Sequence, residues 1–301
     1  SDRIWQATDA AITLLNTDEN IDITLNFELF NGTEDLAEIE LGFASQKGSL
    51  ASTIALNMER APAQDFALQS PTLSFLSVVD APVSAAMRAE FGTDGELTEY
   101  TGSLAFDPGQ IVAGAGAEPL AFEGGKGYFD YDPANKRINF PELRLETDVL
   151  EVTGSGQVLL GDFDGSWPQS FTGQWKVTDL RIAPEGVFDA PLVFDQAAVD
   201  AKLRLNPFTL EVGQFDLAQG DLWLRGKGRA EAGPEGWTAA LDLSVDEMTI
   251  SEILALWPPA VIAKTRTWMA ENIHEATYHD LDVALRFAPG LARPVLAMDW
   301  A

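Results

Sequence analysis

The chain has 301 residues, 47 acidic against 19 basic side chains for a net charge of −28, and no cysteine. That charge argues against nucleic acid as a partner, because binding it needs Lys and Arg to displace phosphate counterions, and against purely electrostatic attachment to anionic lipid. Without cysteine there is no disulfide and no thiolate metal site. A chain of this length buries roughly 75% of its surface in a compact domain.

Residues 1–15 lack the basic and apolar regions of a signal peptide, and no window is apolar enough to span a bilayer. Ser1 is not a start methionine and residues 295–300 read as a strand. Both ends are therefore expected to be cut from something longer, with any membrane anchor outside this chain.

The first half alternates with period two. Ile21, Ile23, Leu25, Phe27 and Leu29 point one way, with Asp22, Thr24, Asn26 and Glu28 opposite, and Asn31-Gly32 is the expected turn. Ala37, Ile39, Leu41 and Phe43 repeat the pattern, as do Leu50, Ile54, Leu56 and Met58, then Val83, Ala85, Met87, Ala89 and Phe91. One apolar and one wet face per strand predicts antiparallel sheet. Residues 61–66 and 111–119, rich in Ala, Gly and Pro, read as loops.

The second half contains an internal repeat at a constant offset of 72 residues. Ile138 falls on Leu210, Phe140 on Val212, Leu143 on Phe215, Leu145 on Leu217, Leu150 on Leu222 and Val152 on Leu224. Gly154-x-Gly156 falls on Gly226-x-Gly228. Each unit reads as short strands ending in a G-x-G that bends a strand or admits close backbone approach, and stacked units build a long sheet.

Residues 251–275 are the longest stretch with apolar residues at helical spacing. Ser251 is the expected cap of a short helix, with Glu252 in its first turn, and Pro258-Pro259 ends it. Pro259 can open a second, amphipathic helix carrying Val261, Ile262, Thr265, Trp268, Met269 and Ile273 on one face.

Trp257-Pro258, Thr265-Arg266-x-Trp268 and Glu271-Asn272-Ile273 resemble a motif of the YhdP branch of the AsmA-like envelope proteins. Ala276 stands where a Gly commonly follows in that motif. Residues 127–132, 137–140 and 143–147 resemble the family's strand units as well; the first hundred residues match it only in alternation. The resemblance implies a long, folded-over sheet with a hydrophobic groove, and phospholipid movement between the inner and outer membranes of diderm bacteria.

Sites of other chemistry are weak. His274 and His279, the two histidines, have no standard zinc spacing. Asp162-x-Asp164-Gly165 opens like a calcium loop but has Gly173 at the later ligand position, so a turn is expected. Gly226-Lys227-Gly228 lacks the rest of a P-loop, and Gly154-Ser155-Gly156 is no nucleophile elbow.

The expectation is a mostly β protein, an elongated antiparallel sheet curled into a folded-over trough of repeated strand units, with a short helical element near the C-terminus. Residues 1–249 form the repetitive sheet, 250–276 the helical element and 277–301 its continuation. The resemblance implies a periplasmic, non-enzymatic piece of a bridge-like protein that carries phospholipid acyl chains, needs no cofactor, and is anchored in the inner membrane through segments outside this chain. Ile138, Phe140, Leu143, Leu145, Leu150, Val152, Leu210, Val212, Leu222 and Leu224 are the expected groove lining. Trp257, Trp268 and Met269 are expected to pack the helices onto the sheet or over the groove. The alternative is an envelope interaction module, with protein partners, built on a closed β-sandwich core.

Overall fold

The structure is a computed structural model that describes residues 6–30, 37–68, 71–114, 117–183, 188–291 and 295–299. The expected Asn31-Gly32 turn and Trp300 lie outside the described residues.

Strands β1 (Gln6–Asn16), β2 (Asn20–Phe30), β3 (Ala37–Gln46) and β4 (Ser52–Pro62) open an antiparallel meander. A helical excursion follows: α1 (Ala63–Ala67), a 3-10 helix (Pro71–Val78) and the two-residue β5 (Val79–Asp80). The meander resumes with β6 (Pro82–Phe91) and β7 (Leu97–Phe106), and β8 (Gly109–Ile111) and β9 (Leu120–Phe122) join β5 in a small separate sheet. From there β10 (Gly124–Asp132), β11 (Arg137–Glu146), β12 (Leu150–Gly161) and β13 (Ser170–Ile182) add on in order. β14 (Leu192–Phe194) and β15 (Gln196–Leu205) pair with successive stretches of β13, as one strand broken at Asp195. β16 (Phe208–Gln219), β17 (Leu222–Gly233) and β18 (Gly236–Thr249) lead to the helices α2 (Ile250–Leu256) and α3 (Ala263–Asn272). β19 (Thr277–Phe287) and β20 (Val295–Asp299) complete one sheet of 17 strands.

The alternation read from the sequence becomes a continuous property of this sheet. Leu14, Ile23, Phe43, Ile54, Ala89, Tyr100, Tyr131 and Ile138 are successive cross-strand partners. The same row continues through Val158, Gly173, Ala201, Val212, Gly228, Leu241, Leu285 and Leu296. Neighbouring strands lie about 4.8 Å apart, so this row runs roughly 70 Å across the sheet. The row next to it on the other face carries Thr24, Arg88, Asp130, Gln157, Gln174 and Asp200. One face is apolar from edge to edge and the other is largely polar, with Leu15, Leu159 and Trp223 exposed on it.

The 72-residue repeat is structural. Gly154 pairs with Leu143 and Gly156 with Phe140. Gly226 pairs with Phe215 and Gly228 with Val212. Each unit has its register shift at the same place, between Phe140 and Leu143 or between Val212 and Phe215. The extra residue of the bulge lets two apolar side chains three positions apart keep to one face, where strict alternation would reverse them.

The expected curl is a correction. The sheet is open and not strongly curled, so there is no folded-over trough. Two broad concavities, of about 670 and 550 Å³, are dents centred on the polar face, beside Gln214, Lys227 and Asp242 in one case and Asn139, Gln157 and Gln174 in the other. The closed sandwich core is corrected by the same finding. Both expectations assumed that helices near the C-terminus were the sole cover available. Residues 61–66, read as loop, instead finish β4 and enter α1, and with the 3-10 helix they roof part of the apolar face.

Candidate apolar binding face

Three clusters of buried side chains show where the apolar face is roofed. In the first, Ala63 and Ala67 of α1 and Leu73 and Leu76 of the 3-10 helix cover Val83, Ala85, Leu104, Phe129, Ile138, Val158 and Phe171. Phe75 meets Phe171 edge to face at 6.0 Å. In the second, Ile253 and Trp257 cover Leu222, Leu224, Val245 and Leu281, with Phe194 beside them. A third, smaller cluster holds Phe208, Ala113 and Ala232, and the Trp237 indole beside it donates to the Glu118 carbonyl at 2.8 Å.

Two tracts of the face stand outside these clusters. One is at the β1 edge, where Ile12 is 72% and Leu14 61% exposed, next to half-buried Ile23, Leu25, Leu41 and Phe43. The other lies between the roofs, where Val199, Ala201, Val212, Phe215, Leu241 and Leu285 are half-buried. Contiguous exposed apolar surface on this scale marks an interaction or ligand site.

Glycines keep the relief of the face low. A Cβ on Gly226 would run into the Phe215 ring and come within 2.6 Å of the Asp242 carbonyl oxygen. A Cβ on Gly156 or Gly173 would run into the Trp175 indole, and one on Gly102 would sit 2.9 Å from the Phe129 ring. For Gly226, Gly156 and Gly102 the ring comes from the paired strand, and for Gly173 from its own strand; in each case it occupies the space a side chain would take.

The helical element is built differently from its sequence reading. Thr249, not Ser251, caps α2, with its hydroxyl accepting from Glu252 N and the Glu252 carboxylate accepting from Thr249 N at 2.7 Å. The Trp257-Pro258-Pro259 run ends α2 as expected, but α3 begins at Ala263, after Ile262 in the left-handed region (φ 47°). α3 has no buried side chain. Arg266 ties the pair together, donating to the carbonyls of Trp257 and Leu254, both at 3.0 Å, and to Asp189 at 2.6 Å. The Trp257 indole donates to the Val261 carbonyl at 2.5 Å.

All ten expected lining residues lie on the apolar face, but they divide. Ile138, Phe140, Leu222 and Leu224 are buried under the roofs. Leu143, Leu145, Leu150, Val152 and Val212 are half-buried, and Leu210 is 36% exposed. Trp257 is buried and Met269 packs against its cluster. Trp268 is a correction: it is 58% exposed on α3, a helix with no buried residue, and so does not pack the helix onto the sheet. Val199, Phe215, Leu241 and Leu285 were missed as lining, although Phe215 was visible as the repeat partner of Leu143.

The polar motifs resolve as ordinary structure. Residues 162–167 make a turn with Asp164 bridged to Trp167. Hydrogen bonding from Ser170, then from Lys202, holds the Asp162 carboxyl below its usual range. His279 Nδ1 lies 3.7 Å from a Glu247 carboxylate oxygen, with both side chains exposed. Among the described residues there is no group of three or more His, Cys, Asp and Glu placed to hold a metal, and no helix long and apolar enough to cross a membrane.

No protein-family profile, curated protein or solved structure matches this chain.

Proposed function

We propose that this protein is a non-catalytic holder of phospholipid acyl chains, acting as a piece of a longer envelope protein of the YhdP kind that bridges two membranes through the periplasm. The observation that supports it is the unbroken apolar row from Leu14 to Leu296, roofed only in part. Such a face is unfavourable in water, and each CH₂ moved from water onto it is worth about 0.8 kcal/mol when fully buried. Chains lie along the open tract, across Phe215 on Gly226, with headgroups in solvent beside the sheet. The attraction is non-directional, so a held chain keeps its freedom to translate along the rows.

The test is organic extraction of the purified, folded protein followed by mass spectrometry of the extract. The proposal expects phospholipid in amounts comparable to the protein. A lipid-free protein with a normal melt overturns it.

A further inference from the structure

We infer that the α2–α3 hairpin is an arch, under which a single unbranched alkyl chain passes, and not a plug that ends the apolar track; this rests on the acyl-holding reading above. A cavity of about 120 Å³ lies between the hairpin and the sheet, where Leu224 and Leu243 lead in from the open tract beside the roof. A second, of about 180 Å³, lies under α3 beside Met269 and Tyr278. The two share Trp257, Ile253, Leu281 and Met298 as walls, so they adjoin.

Three features suit a passage. The lining of the first cavity is wholly apolar, and apolar cavities of this order stay dry and admit hydrocarbon. α3 spans the second cavity without sending a buried side chain into the sheet, and its Trp268 points to solvent. The hairpin is anchored beside the cavities, by Ile253 and Trp257 on the sheet and by the bonds from Arg266 to the Trp257 carbonyl and Asp189. Volumes of this order suit a single alkyl chain.

The probe is a palmitic acid carrying a diazirine near mid-chain, irradiated with the intact protein and mapped by mass spectrometry. Adducts are expected on Leu281, Met269 or Met298, as well as on the open tract at Val212 or Phe215. Met298→Trp fills a wall of both cavities from the end strand, and should cut adducts under the hairpin about tenfold while leaving those on the open tract. Leu296→Trp, with the melt of each variant checked, repeats the test from a neighbouring position. Adducts on the open tract alone, or hairpin adducts unchanged in both variants, overturn the arch and leave the acyl-holding reading standing. Absence of adducts everywhere overturns both.

Discussion

The guanidinium of Arg266 donates through Nε to the main-chain oxygen of Trp257, 3.0 Å away, closing the end of one helix with a side chain from the next. The two residues that carry most of the sequence motif around residues 257–273 are thus a structural pair. Trp257 fills the core beneath the hairpin, and Arg266 bonds its main-chain oxygen and that of Leu254, whose helical partner would be the N–H that Pro258 lacks.

Arg266→Met should therefore loosen the hairpin while leaving the sheet intact. The Arg266 side chain is 17% exposed, and losing its bonds to two main-chain oxygens should cost about 1–3 kcal/mol. Arg266→Lys rescues little, since an ammonium lacks the planar fork that reaches several acceptors at once. Amide hydrogen exchange in residues 250–272 reads the effect; unchanged protection there contradicts this role.

Gly226→Ala should be more damaging than Gly228→Ala. The new methyl at Gly226 meets the Phe215 ring and a main-chain oxygen at 2.6 Å, whereas at Gly228 the nearest atom is 3.2 Å away. Overpacking of this kind costs typically about 1–3 kcal/mol. The comparison is of urea midpoints, and equal midpoints would show that Phe215 moves aside freely.

The strand alternation and the repeat were legible, because one-sided burial in a sheet writes itself into the sequence at period two, and so was the place of the two C-terminal helices. Leu143 and Phe215 illustrate the limit. Each sits three residues after the previous apolar position, across a bulge, so alternation alone would have turned them outward. The roof made by α1 and the 3-10 helix was illegible because its Ala, Pro and Ser content resembles a loop, and tertiary contact decides its conformation. Trp268 was misplaced for the opposite reason. Its helical spacing suggested a buried face, but α3 spans a cavity and buries none of its side chains.

Asp162 gives a pH-dependent prediction. Its carboxyl is held below the ordinary 3.8 by Ser170 first and Lys202 next, the latter 3.1 Å away. A carboxyl with a lowered folded-state pKa stabilises fully above its unfolded value, and that contribution is lost as pH falls through the folded one. Asp162→Asn should lower the melting temperature slightly at pH 6 and flatten its decline below pH 3.8. A parallel decline in both proteins contradicts the assignment.

Acyl holding is tested most directly by a charge placed on the open tract. Leu224 is unsuited to this, being 6% exposed in the cluster under α2, where Leu224→Asp should unfold the protein. Val212 is half-buried and outside the roofs, and Arg225 lies on the polar face. Phospholipid recovered per mole of folded protein is the measurement, with melts recorded for the parent, Val212→Asp and Arg225→Asp. The account predicts lipid in the parent and in Arg225→Asp, and a loss of most of it in Val212→Asp at near-normal stability. Lipid retained equally by Val212→Asp, or missing from the folded parent, contradicts it.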